Sequence, residues 1–369
     1  MGRPKKNKVK KIKNLKRYAR VDSTGISMLL SEKGDPHSIL AKELGERFRE
    51  YRERWDRAGK CVLVQEFPLH LDIELTFNCN LRCKMCIYAL PKEKMKIWGD
   101  FSNSLSYQTF CRIIDEGAKY GLCSVDFNGT NEPLLQRNLA KFISYVKERG
   151  IIDIMFNTNA YALTKERSKE LLEAGLTRIM FSLDAIKEST YKKIRVGSNF
   201  RRVMNNIHGF LVIKKKLRKR LPLTRVSFVD NKINHSELDE FISYWKDYVD
   251  FFSIQNFSNP FVDTPYYSKL EKMFRLTDSR CEPNFICPQP YQRLLIRNNG
   301  DVLPCCAWYG MLNVVGNIHQ SSIYDIWNSR TMRKFRMMVN AHSKLQPLSC
   351  RRCRLSLQPQ RNKRDKFDE

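Results

Sequence analysis

The chain has no run of 18 apolar residues anywhere in its 369, so nothing in it reads as a membrane-spanning helix. Its first twenty residues, MGRPKKNKVKKIKNLKRYAR, lack the apolar core of a signal peptide and contain no acidic residue. These absences predict a soluble, cytoplasmic protein. In that compartment twelve cysteines do not read as a disulfide framework. They read as metal ligation or catalysis, because the thiolate suits iron–sulfur clusters and zinc. One further lack stands out. The stretch LTFNCNLRCKMCIYALP, residues 75–91, spaces Cys79, Cys83 and Cys86 as C-x3-C-x2-C and stops at three. Zinc and most iron–sulfur sites take four protein ligands.

Positive charge is plentiful. The formal net charge is +27, with ten Lys or Arg in residues 1–20, a second block KKKLRKR at 214–220 and a basic stretch after Cys350. Such runs can hold phosphates or an anionic membrane surface. The plainer reading is preferred: a basic, disordered arm over residues 1–35 and one solvated helix face. Nucleic acid stays open as a partner through that arm.

A helix is expected at about 38–56, with Leu40, Leu44, Phe48, Tyr51 and Trp55 forming a stripe that docks on the main domain, and residues 36–65 are assigned to it. From residue 71 short apolar strands alternate with amphipathic helices. Strands are expected at 71–76, 122–127, 152–157, 177–183, 222–229 and 250–255, with helices near 106–119, 136–149, 164–174, 200–217 and 236–248. Ser106 and Thr164 serve as N-caps, and Gly121, Gly150 and Gly175 as stops. This alternation implies an α/β fold with a parallel sheet and right-handed crossovers. Six units are too few for a closed eight-stranded barrel, so a partial (β/α)6 barrel over 66–257 is expected. Every polar motif falls at a strand's C-terminal end, where parallel barrels gather their active sites: the cysteine loop, NGTNEP (128–133), NTNA (157–160), SLDA (182–185), VDN (229–231) and Gln255-Asn256.

Three cysteines on one loop can hold a 4Fe–4S cube by three irons, leaving the fourth open. C-x3-C-x2-C just after the first barrel strand resembles the radical S-adenosylmethionine superfamily. In that family the open iron chelates S-adenosylmethionine, and reductive cleavage yields methionine and a 5′-deoxyadenosyl radical. The resemblance implies a cofactor site as well. Met85 occupies the position whose backbone touches the adenine. Gly129, Thr130, Asn131 and Glu132 replace the family's glycine-rich amino-group-binding segment, with the second and third small positions changed. Asn159, Ser182 and Arg195 would contact the ribose or carboxylate; a bidentate arginine suits a carboxylate. For each, a strand-end polar residue capping its own loop is the alternative.

After residue 258 the rhythm stops, and 258–356 is expected to form a linker and a small second domain, with a charged tail at 357–369. Cys287, Cys305, Cys350 and Cys353 make a spaced quartet. Gly300 in NNGD marks a hairpin between the first two. The pattern resembles the auxiliary-cluster region called SPASM, in its shortened Twitch form, and implies a second 4Fe–4S cluster. Zinc is the alternative for four thiolates, and Cys306 or Cys281 could replace Cys305 or Cys287. Cys61, Cys111 and Cys123 read as core residues.

A cluster held by four thiolates has no open iron but can carry an electron. The expected reaction is therefore a radical two-electron oxidation, an oxidoreductase chemistry. It would be fed by a reducing partner such as flavodoxin or ferredoxin. Epimerisation and crosslinking remain open. The expected substrate is a small polar, sugar-like molecule, because residues 1–60 offer one helix and no strands and hence no peptide-leader-binding domain. A peptide-modifying maturase or epimerase and a nucleic-acid-modifying enzyme are the alternatives. Asp184, Asp230, Glu74 and Arg195 are candidates for the base, a role that geometry decides.

Overall fold

The structure is a computed structural model. It describes residues 16–22, 25–31, 33–96, 99–257, 259, 266–276, 279–281, 286–307, 312–341, 346–351, 353 and 357–359. The strands are β1 (Lys16–Asp22), β2 (Gly25–Ser31), β3 (His70–Ile73), β4 (Ser124–Asp126), β5 (Asp153–Thr158), β6 (Arg178–Ser182), β7 (Leu223–Asp230), β8 (Phe251–Asn256), β9 (Ser279–Cys281), β10 (Arg293–Ile296), β11 (Asp301–Leu303), β12 (Gly316–Asn317) and β13 (Leu357–Pro359). Eleven of them form one sheet in the order β1-β2-β8-β7-β6-β5-β4-β3-β10-β11-β12, while β9 and β13 pair separately. From β3 to β8 every neighbour is parallel, and helices lie between successive strands. This is the expected six-strand parallel unit, each strand within a few residues of its expected place.

The sheet sorts its residues by strand alternation. Leu71, Ile73, Val125, Phe127, Ile154, Phe156, Ile179, Phe181, Val226, Phe228 and Phe252 face outward and pack with the helices in one large apolar core. The alternate positions face inward and are largely polar: His70, Asp72, Glu74, Ser124, Asp126, Asp153, Arg225 and Ser253 are all buried. The fold therefore has a dry outer wall that supplies stability and a polar lumen that supplies little of it.

Three features differ from expectation. Residues 16–22 and 25–31 are not a disordered arm. They form an antiparallel hairpin whose β2 pairs with the edge of β8, Ser27 opposite Gln255 through Leu30 opposite Phe252. An edge strand with open N–H and C=O groups recruits such a partner whatever the charge of its side chains. The rest of the basic arm, residues 1–15, lies outside the described residues, as does most of the charged tail at 357–369. Second, the helix near 38–56 is two helices, α1 (Pro36–Leu44) and α2 (Glu46–Gly59), broken at Gly45, whose φ of 77° only glycine adopts easily. The stripe Leu40, Phe48, Tyr51, Trp55 docks as expected. With Leu69, Leu223 and Phe251 it closes the lumen's floor.

Third, part of the region after 258 extends the main sheet, a pairing that the sequence reading does not include. β10 pairs parallel to β3, His70 opposite Arg293 through Ile73 opposite Ile296, and carries the β11 hairpin with it. Inside the lumen, Arg293 Nη1 donates to Asp72 at 3.1 and 3.3 Å, and both residues are buried. Arg293→Met removes the cationic partner of Asp72 and leaves it only His70, and should cost about 3–5 kcal/mol of unfolding free energy, read from urea denaturation.

Candidate active site

The three-cysteine loop leaves the top of β3 and is fastened on its far side. Arg82 N–H donates to Val196 O at 2.8 Å, Lys84 N–H to Ile194 O at 3.3 Å and Cys86 N–H to Cys83 O at 2.9 Å. The thiols are close enough that Cys86 and Cys83 each act on Cys79. Burial raises all three, Cys86 to about 12, and only at Cys83 is the effect opposed chiefly by a cation, Arg195, 3.9 Å from its sulfur. Cys79 and Cys86, packed against an apolar cluster that includes Phe77, Ile87 and Tyr88, and the buried Cys83 make a poor home for bare thiolates, and a bound cationic iron cluster supplies the missing positive charge. The residues fit the group.

The other candidates around the mouth are placed as follows. Glu132 is buried. Its oxygens accept from Thr158 Oγ1 (2.6 Å), Leu134 N–H (3.1 Å) and Asn159 N–H (2.8 Å). It is a strut between two loops. Asn131 accepts from Gly129 N–H and donates to Phe127 O, so it caps its own loop. Thr130 gives both its N–H and its hydroxyl to Glu74 Oε2, each at 2.6 Å. Gly129 lies so close to Glu74 that a Cβ there would run into its carboxylate, which explains why a glycine persists where the next small positions have changed. Asn159 Nδ2 donates to Asn80 Oδ1 at 2.9 Å, within the cysteine loop. Arg195 gives Nε and Nη2 to Asp184 Oδ2 at 2.7 and 2.5 Å. Met85 is half-buried against the same apolar cluster as Cys79 and Cys86. Ser182 is half-buried at the end of β6, opposite Ser227.

The quartet gathers beside β11. Cys287, Cys350 and Cys353 all act on Cys305, and Cys353 and Cys350 on Cys287, with burial the first cause of the upward shift at both. Cys305 follows the β11 hairpin, whose turn holds Gly300 at φ 90°. Four buried or half-buried thiols that raise one another, with no cation among the named influences, suit the spread of ligands around a cluster better than a single small ion, since no three of their sulfurs lie within 4.8 Å of one another. Cys306 turns the other way, its sulfur 3.5 Å from Arg293 Nη1 and 3.8 Å from Gln289. The side chain of Cys281 lies outside the described residues. Cys61, expected in the core, is only half-buried: its thiol touches Cys287 O at 3.4 Å, and the next residue, Val62, is 88% exposed.

Sequence reasoning missed the lumen. His70 lies between Ser124 Oγ (2.9 Å) and Asp72 Oδ1 (3.2 Å), and Asp126 joins this group. Arg225 reaches Asn157 Oδ1 at 2.9 Å. The signal was present: in HLDIE every second residue is polar, although the segment reads at first sight as an apolar strand.

A parallel α/β partial barrel with a three-thiol loop at its mouth and a four-thiol site beside it defines the class of a radical iron–sulfur enzyme. Residues 73–252 match the Radical SAM superfamily, and residues 287–354 match the SPASM iron–sulfur cluster-binding domain. The chain belongs to the radical SAM superfamily and carries a SPASM domain; its cofactors are 4Fe–4S clusters and S-adenosylmethionine. A GTP 3′,8-cyclase of Limosilactobacillus fermentum is 34% identical over 181 residues, 48% of this chain and 51% of that protein, so the match spans about half of that relative's length. The tungsten-containing aldehyde ferredoxin oxidoreductase cofactor-modifying protein of Pyrococcus furiosus is 26% identical over 322 residues, 78% of this chain and 87% of that one. Streptococcus suis SuiB bound to the precursor peptide SuiA shares the fold, with a TM-score of 0.57 at 17% identity, covering 87% of this chain and 75% of that one. Among the described residues no helix is long and apolar enough to cross a membrane.

Glu74 offers a pH test. Burial raises its carboxyl to about 6 from an ordinary 4.5, against the opposing pull of Thr130, Arg297 and the Asn298 N–H. Below pH 4.5 it is protonated folded or unfolded and costs nothing. Between 4.5 and 6 the folded state increasingly resists ionisation, and above 6 the cost is complete, about 2 kcal/mol. Wild-type stability should therefore fall over that window relative to Glu74→Gln. The gap in thermal midpoint should open from pH 4.5 and level off above pH 6.

Proposed function

We propose that this enzyme carries out a radical two-electron oxidation of a small polar metabolite in the barrel lumen. The observation that carries it is the pairing of a three-thiol site at the mouth with a four-thiol site that offers a bound cluster no open position. When bound, the two clusters and S-adenosylmethionine supply a 5′-deoxyadenosyl radical at the mouth and a one-electron acceptor beside it. The rest falls to the chain. Phe77, Tyr88, Leu295 and Phe274 keep water from the cysteine loop. Thr130, Asn159 and Arg195, held by Glu74, Glu132 and Asp184, form the cofactor cradle. Glu74 Oε1 takes the proton that oxidation releases. Of the four candidate bases, Asp184 is spent on Arg195 and the Val229 N–H, and Asp230 pairs with the exposed His235. Arg195 is a cation. Glu74 Oε1 is buried with no hydrogen-bond partner among the described residues. A reduced flavodoxin or ferredoxin that supplies the electron for cleavage of S-adenosylmethionine belongs to the same reading.

Peptide modification is the second reading. The hairpin β1–β2 removes the argument that residues 1–60 contain no strand, and among the described residues β1 ends the sheet with an edge that an extended peptide could pair with. No described feature favours nucleic acid beyond charge.

Anaerobically reconstituted protein should hold about eight irons, and the triple change of Cys79, Cys83 and Cys86 to Ala about four, with loss of 5′-deoxyadenosine formation after dithionite. Iron near four with bound zinc in the wild type would sink the two-cluster reading. Cys350→Ala should retain cofactor cleavage, measured as 5′-deoxyadenosine, while losing oxidised product. Normal product from that folded variant would make the second site structural.

A further inference from the structure

The inward face of β3 and β4 contains an acidic group that the cofactor cradle does not use. Asp72 and Asp126 are cross-strand partners, and their oxygens lie with His70 in one group whose ligand atoms are within 4.8 Å of one another. Arg293 and His70 both serve Asp72. Asp126 receives only the Asn128 N–H, at 3.1 Å on Oδ1. Its Oδ2 is buried with no hydrogen-bond partner among the described residues, and Asp126 is 1% exposed. One step further up the lumen, just past the end of β3, Glu74 Oε1 is in the same condition. Buried polar atoms are rarely left unpaired, and two on or just past adjacent strands, both facing inward beneath the cysteine loop, call for a ligand that supplies hydrogen-bond donors.

Resting on the proposed function, we propose that this wall is the substrate-recognition surface, and that it takes an uncharged polyhydroxylated molecule whose hydroxyl groups meet Asp126 Oδ2 and Glu74 Oε1. Burial, and then the charge of Asp72, hold the Asp126 carboxyl well above the usual carboxylate range, opposed by Arg293, the Asn128 N–H and Arg225. The group can therefore carry a proton. A hydroxyl both donates and accepts, so it satisfies this carboxyl in either state. A phosphate or carboxylate does not. Its oxygens only accept, so an ionised Asp126 or Glu74 finds no donor in it, and it would bring negative charge against Asp72 and Glu74. Arg293 keeps Nη1 on Asp72 and Arg225 keeps Nη2 on Asn157, and the buried Arg293 Nε, with no hydrogen-bond partner among the described residues, is left for a hydroxyl oxygen. The wall thus divides sugars and cyclitols from their phosphates and from nucleoside triphosphates.

The test is anaerobic calorimetric titration of the reconstituted, S-adenosylmethionine-loaded enzyme with four probes: myo-inositol, glucose, glucose 6-phosphate and guanosine triphosphate. The expected result is binding of at least one neutral polyol and at least tenfold weaker binding of both phosphorylated probes. Asp126→Asn and Asp126→Leu should each weaken the polyol at least tenfold, with the S-adenosylmethionine affinity within twofold of wild type. Iron content and far-UV circular dichroism verify that the variants are folded. Preference for a phosphorylated probe, failure of both polyols to bind, or unchanged polyol affinity in both variants would overturn the proposal. An equal loss of S-adenosylmethionine affinity would also overturn it, by assigning Asp126 to the cofactor. Failure of the oxidation reading is separate, and shows as unchanged product from the folded Cys350→Ala variant.

Discussion

The parallel pairing of β10 with β3 is the constraint on which both sites depend. β3 runs into the loop bearing Cys79, Cys83 and Cys86, and β10 runs through its hairpin to Cys305. One ladder of backbone hydrogen bonds therefore sets the register between the two thiol sites, although more than two hundred residues separate the strands in sequence. The Asp72–Arg293 ion pair lies on the inner face of this ladder, and the same Arg293 Nη1 also meets the sulfur of Cys306, the residue after Cys305. Taking two charges out of water is expensive, and a buried pair rarely adds net stability over an apolar one. Its value here is registry: a slip by one residue would turn His70, Asp72 and Glu74 into the helices and Leu71 and Ile73 into the lumen.

Much of this was legible in the sequence, and the reason is local. Ser106 and Thr164 cap their helices through side-chain hydrogen bonds to Thr109 and Arg167, as their types predict. Gly121, Gly150 and Gly175 stop theirs at φ of 74°, 77° and 100°. Each signal lies within one turn of the event it controls. The cysteine spacings were legible for the same reason, since ligand sets are built from short loops.

What was not legible is set at a distance. Nothing in Lys16–Asp22 or Gly25–Ser31 announces a partner, because their place in the sheet is decided by the open edge of β8. Nothing in Arg293–Ile296 names β3. The polar lumen was hidden differently. Its residues alternate with apolar ones over strands of only three to eight residues, too short for the period to outweigh the overall apolar character. Gly45 was read over because the apolar stripe continues across the break into α2.

The mouth itself shows how such a fold turns acidic residues into scaffolding. Glu74 ties β3 to the β4 loop through Thr130, and Glu132 ties that loop to the end of β5. Asp184, at the end of β6, holds Arg195 and the Val229 N–H of β7. Glu237, after β7, receives the N–H groups of Ile186 and Lys187 and the hydroxyl of Thr190. Each carboxylate fixes one loop to the next, in a low-dielectric setting where a fully satisfied network holds loops rigid. A radical reaction benefits from such rigidity, since a reactive species must meet one hydrogen atom and no other. The count of satisfied oxygens then separates scaffold from chemistry. Glu132, Asp184 and Glu237 have both oxygens engaged, whereas Glu74 and Asp126 each keep one oxygen without a partner among the described residues. Those two oxygens lie on β4 and just past the end of the adjacent β3, beneath the loop where the cofactor's open iron belongs.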